Sequence, residues 1–242
     1  MNAIDAYSKV VEASLAKLSL EREQIEQAAG WLCETLRQDG LLYVTGTGHS
    51  HMLAEEVFYR AGGLAAVHPL LDNALMLHEG AIRSSSVERL EGFAQILLKD
   101  TDLSARDLLI VASNSGRNAF PIEIVLEAKK RGCKTVAITS LEHSRQVASR
   151  HSSMKRLFEL ADLVIDNAAP YGDAGLSLEG LETKVGPVSS ITGIFLMNAI
   201  VVRAVELVLQ AGVQPEIFVS ANVEGNQSTV DIKRWQARIK RL

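Results

Sequence analysis

The stretch LLYVTGTGHS, residues 41–50, decides the fold. It is a short apolar run that ends in glycine, which is typical of a buried strand followed by a tight turn. Apolar residues then recur at the three- and four-residue spacing of a helix, at Leu53, Ala54, Val57, Phe58 and Ala61. The segment therefore predicts a strand, a glycine turn and a helix.

The same unit occurs again further along the chain. DLLIVAS (107–113) predicts a buried strand, NSGRN (114–118) the turn, and Ile122, Val125 and Leu126 the helix, which ends near Gly132. Further strands are predicted at 65–68, 134–140 and 162–166, the last after a helical stretch around Leu157 and Leu160. Five strands alternating with helices predict an α/β fold, a three-layer sandwich around a five-stranded, mostly parallel sheet. Ligands of such sheets bind beyond the carboxyl ends of the strands, here the loops after Val44 and Ala112.

Helical patterns flank this core. Residues 1–40 read as two helices that pack on it, residues 41–215 form the main domain, and residues 216–242 form a C-terminal tail of the same globular unit. Ser85-x-x-Glu88 reads as a capping box that opens a helix with one apolar face, made of Val87, Leu90, Phe93, Ala94 and Leu97. Residues 168–190 are less periodic and predict a long functional loop.

Composition excludes several classes of protein. Of 242 residues, 47% are hydrophobic and 22% charged, which is enough apolar material for a large core and excludes intrinsic disorder. The net charge of −4 and the lack of a basic face or a helix-turn-helix extension argue against nucleic acid as a partner. Cys33 and Cys133 have no metal-type spacing and are predicted to be buried thiols in a reducing compartment.

Two further segments bear on the cellular location of the protein. The N-terminal residues lack a basic region followed by an apolar stretch, so they do not read as a secretory signal, and we expect a cytoplasmic protein. Residues 185–202 carry no charge, but polar residues interrupt their first half, and Arg203 and Glu206 follow at once. This pattern favours a buried helix over a membrane span.

The first candidate site is the turn Gly46-Thr47-Gly48-His49-Ser50-His51. A dinucleotide-binding fingerprint would need a glycine where His51 stands, so no nucleotide or other redox cofactor is predicted. Gly48, His49 and Ser50 instead offer a hydroxyl and free backbone N–H groups at the start of a helix, which suits an anion or a sugar hydroxyl. The alternative is that Ser50 only caps the helix.

The second candidate site is the turn SNSGRN, residues 113–118. Its members Ser113, Asn114, Ser115, Gly116 and Asn118 place several hydrogen-bond donors beside a helix start, and the glycine permits close approach. The turn lacks the lysine of a nucleoside triphosphate loop, so it suits a phosphate already attached to a small molecule. The alternative is an ordinary polar turn.

Taken together, the two turns give the sequence a family resemblance. GTGHS and ASNSGRN, the latter followed by AKKRGCKTVAITS, resemble the glycine-serine turn and the SxSGxT segment of the sugar isomerase (SIS) family, over residues 29–209. The resemblance implies a five-stranded parallel sheet that holds a phosphosugar, with phosphate and sugar contacts at Ser50, Ser113, Ser115 and Asn118. Asn118 stands where the family usually has threonine or serine. The whole chain, including SANVEGNQ (220–227), is similar to a group of uncharacterised SIS proteins.

Two segments supply candidate residues for acid–base catalysis. His78-Glu79-Gly80-Ala81 resembles the glutamate segment of N-acetylmuramic acid 6-phosphate etherase, so Glu79 is the predicted base, with His78 beside it. The alternative is a solvated loop carboxylate. Glu179, Glu182 and Lys184 loosely resemble the isomerase domain of glucosamine-6-phosphate synthase, although surface ion pairing is the favoured interpretation.

The histidines narrow the choice of activity. Phosphoheptose isomerase uses a late histidine, but the last one here is His151, which argues against that particular enzyme. His49 and His51 flank Ser50 without a convergent carboxylate or cysteine, so no metal site is predicted there.

These observations predict an enzyme that removes a proton next to the carbonyl of a phosphosugar, as an isomerase or an etherase-type lyase. The rival is a module that senses a phosphosugar without turning it over. A homodimer or homotetramer is expected, because the N-terminal helices and the helix after Ser189 carry more apolar surface than one sheet needs, and the SIS resemblance implies such an assembly. Trp235 is expected to be packed and the basic residues around it solvated, namely Lys233, Arg234, Arg238, Lys240 and Arg241.

Overall fold

A five-stranded parallel sheet forms the centre of the computed structural model, which describes residues 2–220, 222–223 and 230–242. The order in space is β2-β1-β3-β4-β5, and the bounds are Leu42–Gly46 (β1), Val67–Pro69 (β2), Leu108–Ala112 (β3), Lys134–Thr139 (β4) and Leu163–Asp166 (β5). The predicted α/β fold is confirmed. Strand β2 starts later than predicted, because Leu64 and Ala65 pair with Ile217 and Glu216 instead.

Helices cover both faces of this sheet. Val44, Ile110 and Ile138 point to one face, and the neighbouring residues of the same strands point to the other. Helices α2, α3 and α8 pack on the first face, and α5, α6 and α9 pack on the second. The helices within the described residues are Ala3–Lys17 (α1), Arg22–Arg37 (α2), Met52–Val57 (α3), Ala81–Val87 (α4), Phe93–Leu98 (α5), Ala119–Lys130 (α6), Leu141–Ser144 (α7), Ser189–Gln210 (α8) and Ile232–Gln236 (α9).

The predicted helix that begins at a Ser85 capping box is wrong. Ser85 lies inside α4, which begins after Gly80, and Gly92 separates α4 from α5. Gly92 adopts a left-handed conformation with φ of 90°, and its N–H donates to the buried carboxylate of Glu123 at 2.7 and 2.9 Å. A positive φ ends a helix, so two short helices replace one long one.

Two further segments differ from the prediction. The expected helix around Leu157 is a single 3₁₀ turn, Leu157–Glu159. The expected loop at 168–190 contains an antiparallel hairpin, with strands Ala174–Leu176 (β6) and Val185–Pro187 (β7). The tail segment SANVEGNQ lies largely outside the described residues.

Helix α8 is the one described helix that is long and apolar enough to cross a membrane. Of that apolar stretch, 44% is buried inside the protein, against α2 and α3. Its opposite face exposes Phe195 and Val202, which are 50% and 68% accessible. The helix therefore has a core face, as predicted, and an uncovered apolar face.

The C-terminal residues pack through Trp235, as expected. Its ring is buried and its Nε1 donates to Glu216 at 3.0 Å. The prediction that its basic neighbours are largely solvated is wrong for Arg238, which is half-buried. Arg234 and Arg238 lie over the Trp235 ring at 4.5 and 5.1 Å, and both pair with Asp39.

Both cysteines are buried, as predicted. Burial raises the pKa of the Cys133 thiol to about 12, with the nearby Asp107 as a smaller cause. A thiol with so high a pKa is a poor nucleophile, so Cys133 belongs to the core.

His68 is a buried titratable group away from the candidate turns. Its ring stacks on Tyr43 with centroids 4.8 Å apart, and its Nδ1 has no hydrogen-bond partner among the described residues. Burial lowers the pKa of His68 from 6.5 to about 4.

We expect this shift to make the fold sensitive to acid. Above pH 6.5 His68 is neutral in both folded and unfolded chains, whereas between pH 6.5 and about 4 only the unfolded chain takes up the proton. The free energy of unfolding should fall across this window by up to about 3 kcal/mol from this residue. His68→Phe keeps the stacking on Tyr43, and urea unfolding at neutral pH and at about pH 4.5 should show a weaker pH dependence than in the native protein. An identical pH dependence would contradict the assignment.

Candidate active site

The candidate site lies where the strand order of the sheet reverses. The chain moves from β1 outward to β2 and then returns to β3 on the other side of β1. Helical connections therefore leave β1 and β3 toward opposite faces, and a crevice opens between their carboxyl ends. The two turns singled out from the sequence follow β1 and β3, so the topology brings them together.

Two glycines shape the first turn. A Cβ atom on Gly46 would lie 2.5 Å from the carbonyl oxygen of Ser50, so only glycine lets the chain fold back so closely. Gly48 adopts a left-handed conformation with φ of 55°. The residues Gly48–His51 form one 3₁₀ turn that runs into α3, and Ser50 lies within that turn. Ser50 is therefore not the cap of the helix, and its hydroxyl has no hydrogen-bond partner among the described residues.

The second turn is closed by its own serine. The Ser113 hydroxyl accepts a hydrogen bond from the Gly116 N–H at 3.2 Å, and Gly116 is left-handed with φ of 57°. Helix α6 starts at the end of this turn, and Asn118 precedes it without capping it through its side chain. Ser115 is half-buried, and its hydroxyl bonds to nothing within the described ranges. This hydroxyl is unbonded there, but Ser115 is not among the residues that line the cleft described next.

Both turns contribute residues to one open cleft. Of the predicted site residues, His49, Ser50, Ser113 and Asn114 face it. The other side of the cleft is formed by three polar residues that the sequence analysis missed, namely Asn167, Ser189 and Ser190. The lining is thus made of hydroxyls, amides and an imidazole, with Leu53, Ala112 and Ile138 at its base.

The residues that were missed come from the ends of two other elements. Asn167 follows β5, and its amide donates to the Asn114 side-chain oxygen at 2.8 Å. Ser189 begins α8, whose first N–H groups are held by the Asp173 carboxylate at 2.8 and 3.1 Å. The N-terminus of this 22-residue helix therefore lies beside the cleft, with the Asp173 carboxylate already bound to its first N–H groups and to the Ser189 hydroxyl.

Glu88 joins the two turns. One of its carboxylate oxygens accepts from the Thr47 hydroxyl at 2.5 Å, and the other accepts from the Asn118 amide. Arg150 donates to the Asn118 side-chain oxygen at 3.1 Å. Asn118 therefore contacts Glu88 and Arg150 in this structure.

Burial raises the pKa of the Glu88 carboxyl above its usual range. The hydrogen bond from Thr47 and the charges of Arg89 and Arg150 oppose this rise without cancelling it. A carboxylate with a raised pKa that bonds to both turns is a candidate for accepting a proton from a ligand.

The predicted pair His78 and Glu79 lies at the rim. Their side chains are 64% and 42% accessible, and their nearest charged atoms are 3.9 Å apart. The Asn73 amide donates to Glu79 at 3.4 Å. A Cβ atom placed on Gly48 would contact the side chain of Leu77, which is next to this pair. The loop that carries Glu79 therefore borders the first turn.

The remaining predicted residues lie away from the cleft. Glu179, Glu182 and Lys184 are exposed in the connection between β6 and β7. The ion pairs expected for them are not formed with any residue that the structure describes. His51 is buried, and its Nδ1 contacts the Gly48 carbonyl, so its ring is part of the first turn.

The fold and these turns define the class of protein. A SIS domain model matches residues 6–140, which is more than half of the chain, and the chain belongs to the SIS domain family. Within that family it is similar to a UPF0309 protein of Geobacillus sp. (strain WCH70), with 43% identity over 96% of this chain and 95% of the relative.

Solved structures share the fold at low identity. A phosphoheptose isomerase from Neisseria gonorrhoeae superposes with a TM-score of 0.55 and 18% identity, over 84% of this chain and 96% of that one. The Vibrio vulnificus NanR protein, complexed with ManNAc-6P, superposes with a TM-score of 0.50 and 18% identity, over 86% of this chain and 67% of that one. The scaffold thus occurs in an isomerase and in a ManNAc-6P-binding protein.

Proposed function

We propose that the cleft binds a phosphorylated sugar and that the protein removes a proton from the carbon next to the sugar's carbonyl. The observation that carries this proposal is the convergence of the two glycine turns and the α8 N-terminus on one polar cleft. The hydroxyls of Ser50, Ser113 and Ser115 suit a phosphate monoester. The likeness in fold to a phosphoheptose isomerase supports the choice of substrate class.

Glu88 is the proposed base. Its carboxylate takes the proton from the carbon, and the electron pair left behind moves toward the carbonyl oxygen to give an enolate or enediolate. Return of the proton to the former carbonyl carbon, together with transfer of the hydroxyl proton from one oxygen of the enediolate to the other, completes an isomerisation. Expulsion of a substituent one carbon further on, with its bonding electron pair, completes an elimination. Glu79, the base predicted from the sequence, is the rival, because its loop borders the first turn.

The second candidate function is a phosphosugar sensor. NanR shares the scaffold in complex with ManNAc-6P, which supports a role in binding alone. The same cleft serves either function, because one fold supports both catalysis and sensing. What separates the two is whether a carbon-bound proton exchanges with solvent.

The deciding experiment has two stages. A panel of aldose, ketose, amino-sugar and N-acetyl-sugar phosphates is screened by thermal shift, where a ligand at about 100 times its Kd adds about 2.7 kcal/mol to stability. Each ligand found is then incubated with the protein in D₂O and followed by proton NMR. An enzyme incorporates deuterium next to the carbonyl or forms product, whereas a sensor binds the ligand and leaves the signal unchanged.

Ser115→Ala should weaken binding of the phosphosugar without affecting the fold. Removing a hydroxyl that donates to a charged phosphate costs about 1.5 to 3 kcal/mol, which is roughly 10- to 150-fold in affinity. Calorimetry with the native protein and the variant measures this, and Ser8→Ala on the exposed face of α1 is the matched control. Equal affinities for the native protein and Ser115→Ala would remove this hydroxyl from the site.

The cytoplasmic location, the independence of redox cofactors and the symmetric homodimer or homotetramer expected from the sequence belong to the same proposal. Uncovered apolar side chains on α8, Phe195 and Val202 among them, support the assembly. Light scattering at micromolar concentration should give a mass of at least two chains. A monomer mass would refute the assembly and leave the phosphosugar proposal untouched.

A further inference from the structure

A cluster of three metal-binding side chains lies beside the second turn and outside the cleft. It consists of Glu91, Glu123 and His151, whose ligand atoms all lie within 4.8 Å of one another. The His151 Nε2 atom is 3.7 Å from a Glu123 oxygen and 3.9 Å from a Glu91 oxygen. Both distances are too long for hydrogen bonds, so the imidazole and the two carboxylates face a common point without bonding to each other.

Neighbouring groups fix the orientation of all three. Both Glu91 oxygens accept from Ser152, one from its N–H at 2.7 Å and one from its hydroxyl at 2.8 Å. Both Glu123 oxygens accept from the Gly92 N–H, and the His151 Nδ1 bonds to the Ser153 hydroxyl at 2.7 Å. The Ser153 N–H also donates to Nδ1, at 3.1 Å, and these contacts leave Nε2 as the nitrogen that faces the two carboxylates. A metal-binding histidine donates its other ring N–H, so on metal binding the ring would carry its proton on Nδ1, where the Ser153 hydroxyl can accept it.

The two carboxylates of this cluster favour a bound cation. No lysine or arginine in the described part of the chain forms an ion pair with Glu91 or Glu123, and Glu123 and His151 are buried. Two carboxylates held close together in a partly buried place repel each other, and a bound cation removes that repulsion.

We propose that Glu91, Glu123 and His151 bind a divalent transition metal, with Zn²⁺ as the favoured ion. An imidazole with two carboxylates is a donor set that suits Zn²⁺, and a water molecule would complete four-coordination. Tetrahedral bonds of about 2.1 Å place donor atoms about 3.4 Å apart, so the three side chains need only a small inward movement.

The site would connect three segments that shape the edge of the cleft. Glu91 lies three residues after Glu88 in the connection between α4 and α5, His151 follows Arg150, and Glu123 lies on α6, which follows Asn118. Since Glu88 and Arg150 both contact Asn118, a metal here would hold the segments that carry these contacts. The site is therefore structural, and it does not depend on the proposed chemistry of the cleft.

Calorimetric titration of the chelator-treated full-length protein with ZnCl₂ tests the proposal. We expect one Zn²⁺ per chain, binding at least tenfold weaker in Glu91→Gln and in the double variant Glu123→Gln/His151→Asn, and a higher melting temperature with Zn²⁺ in the native protein only. Glu55→Gln is the matched control, because it removes a surface pair in which Glu55 lies 3.6 Å from the His51 Nε2, and it should bind Zn²⁺ as the native protein does.

A second measurement tests the proposal even if the double variant does not fold. Glu91 is largely exposed, so Glu91→Gln should fold, and circular dichroism checks this. Co²⁺ bound in a four-coordinate site gives visible absorption, which should appear in the native protein and disappear in Glu91→Gln. Absence of Zn²⁺ binding to the native protein, or equal binding by Glu91→Gln, would overturn the proposal.

Discussion

Replacing Glu88 with glutamine is expected to slow deuterium incorporation into a cognate phosphosugar by about 10²- to 10⁴-fold. Glutamine keeps the size of the side chain and can still accept from the Thr47 hydroxyl, but it cannot take up the proton. One hydrogen bond is lost. The Asn118 amide donates to the second carboxylate oxygen of Glu88, and the NH₂ group of glutamine cannot accept it. We expect ligand affinity to stay within about tenfold, or roughly 1.4 kcal/mol.

Glu79→Gln is the matched comparison for this result. Glu79 is exposed at the rim, whereas burial raises the pKa of Glu88. If Glu88 is the base, the Glu79 variant should exchange at close to the native rate, and thermal unfolding should show both variants folded. A large loss in Glu79→Gln with native exchange in Glu88→Gln would transfer the role to Glu79. Native exchange in both variants would exclude both carboxylates.

Gly46→Ala is expected to abolish phosphosugar binding at millimolar ligand. The new methyl group would lie 2.5 Å from the Ser50 carbonyl oxygen, 2.6 Å from its carbonyl carbon and 2.9 Å from its Cβ. These are mainly backbone atoms, so the first turn itself must move, and Ser50 moves with it. Loss of two or more hydrogen bonds to a charged phosphate costs more than about 3 kcal/mol, which exceeds about 150-fold in affinity. The strain should also lower the free energy of unfolding by about 1 to 3 kcal/mol.

Gly30→Ala is the control for this substitution. Gly30 lies in α2, and a Cβ atom there would meet nothing within 4 Å. Alanine in a helix is favoured over glycine by about 0.5 to 1 kcal/mol, so this variant should be slightly more stable than the native protein and bind ligand normally. A Gly46→Ala protein that binds as well as Gly30→Ala would show that the first turn does not contact the ligand.

The two turns could be predicted from the sequence because each is a local pattern. A buried apolar run followed by glycine and small polar residues is enough to predict a strand and a turn, as at Gly46 and Gly116. Parallel strands then bring their carboxyl ends, and with them the two turns, to the same edge of the sheet. The same rule, applied to the strand that ends at Asp166, would have indicated Asn167. Ser189 was harder to place, since its position depends on a hairpin at 174–187 that has no strong period of its own.

Glu88 could not be found because its local pattern indicates something else. Ser85 and Glu88 have the spacing of a capping box, but Gly80 and Gly92 set the helix bounds instead and leave Glu88 after the end of α4. The partners of Glu88 are Thr47, 41 residues before it, and Asn118, 30 residues after it. Contacts at such separations depend on how the helices pack, which the sequence pattern does not report.

The central claim is that the two turns hold the phosphate of a sugar phosphate, and the most direct test is a crystal structure of the protein with a phosphosugar identified by thermal shift. We expect a phosphate within hydrogen-bonding distance of the Ser50 and Ser115 hydroxyls, near the N-terminus of α8, with the carbons next to the carbonyl facing Glu88. A phosphate bound elsewhere, with the cleft between β1 and β3 free of ligand, would contradict it.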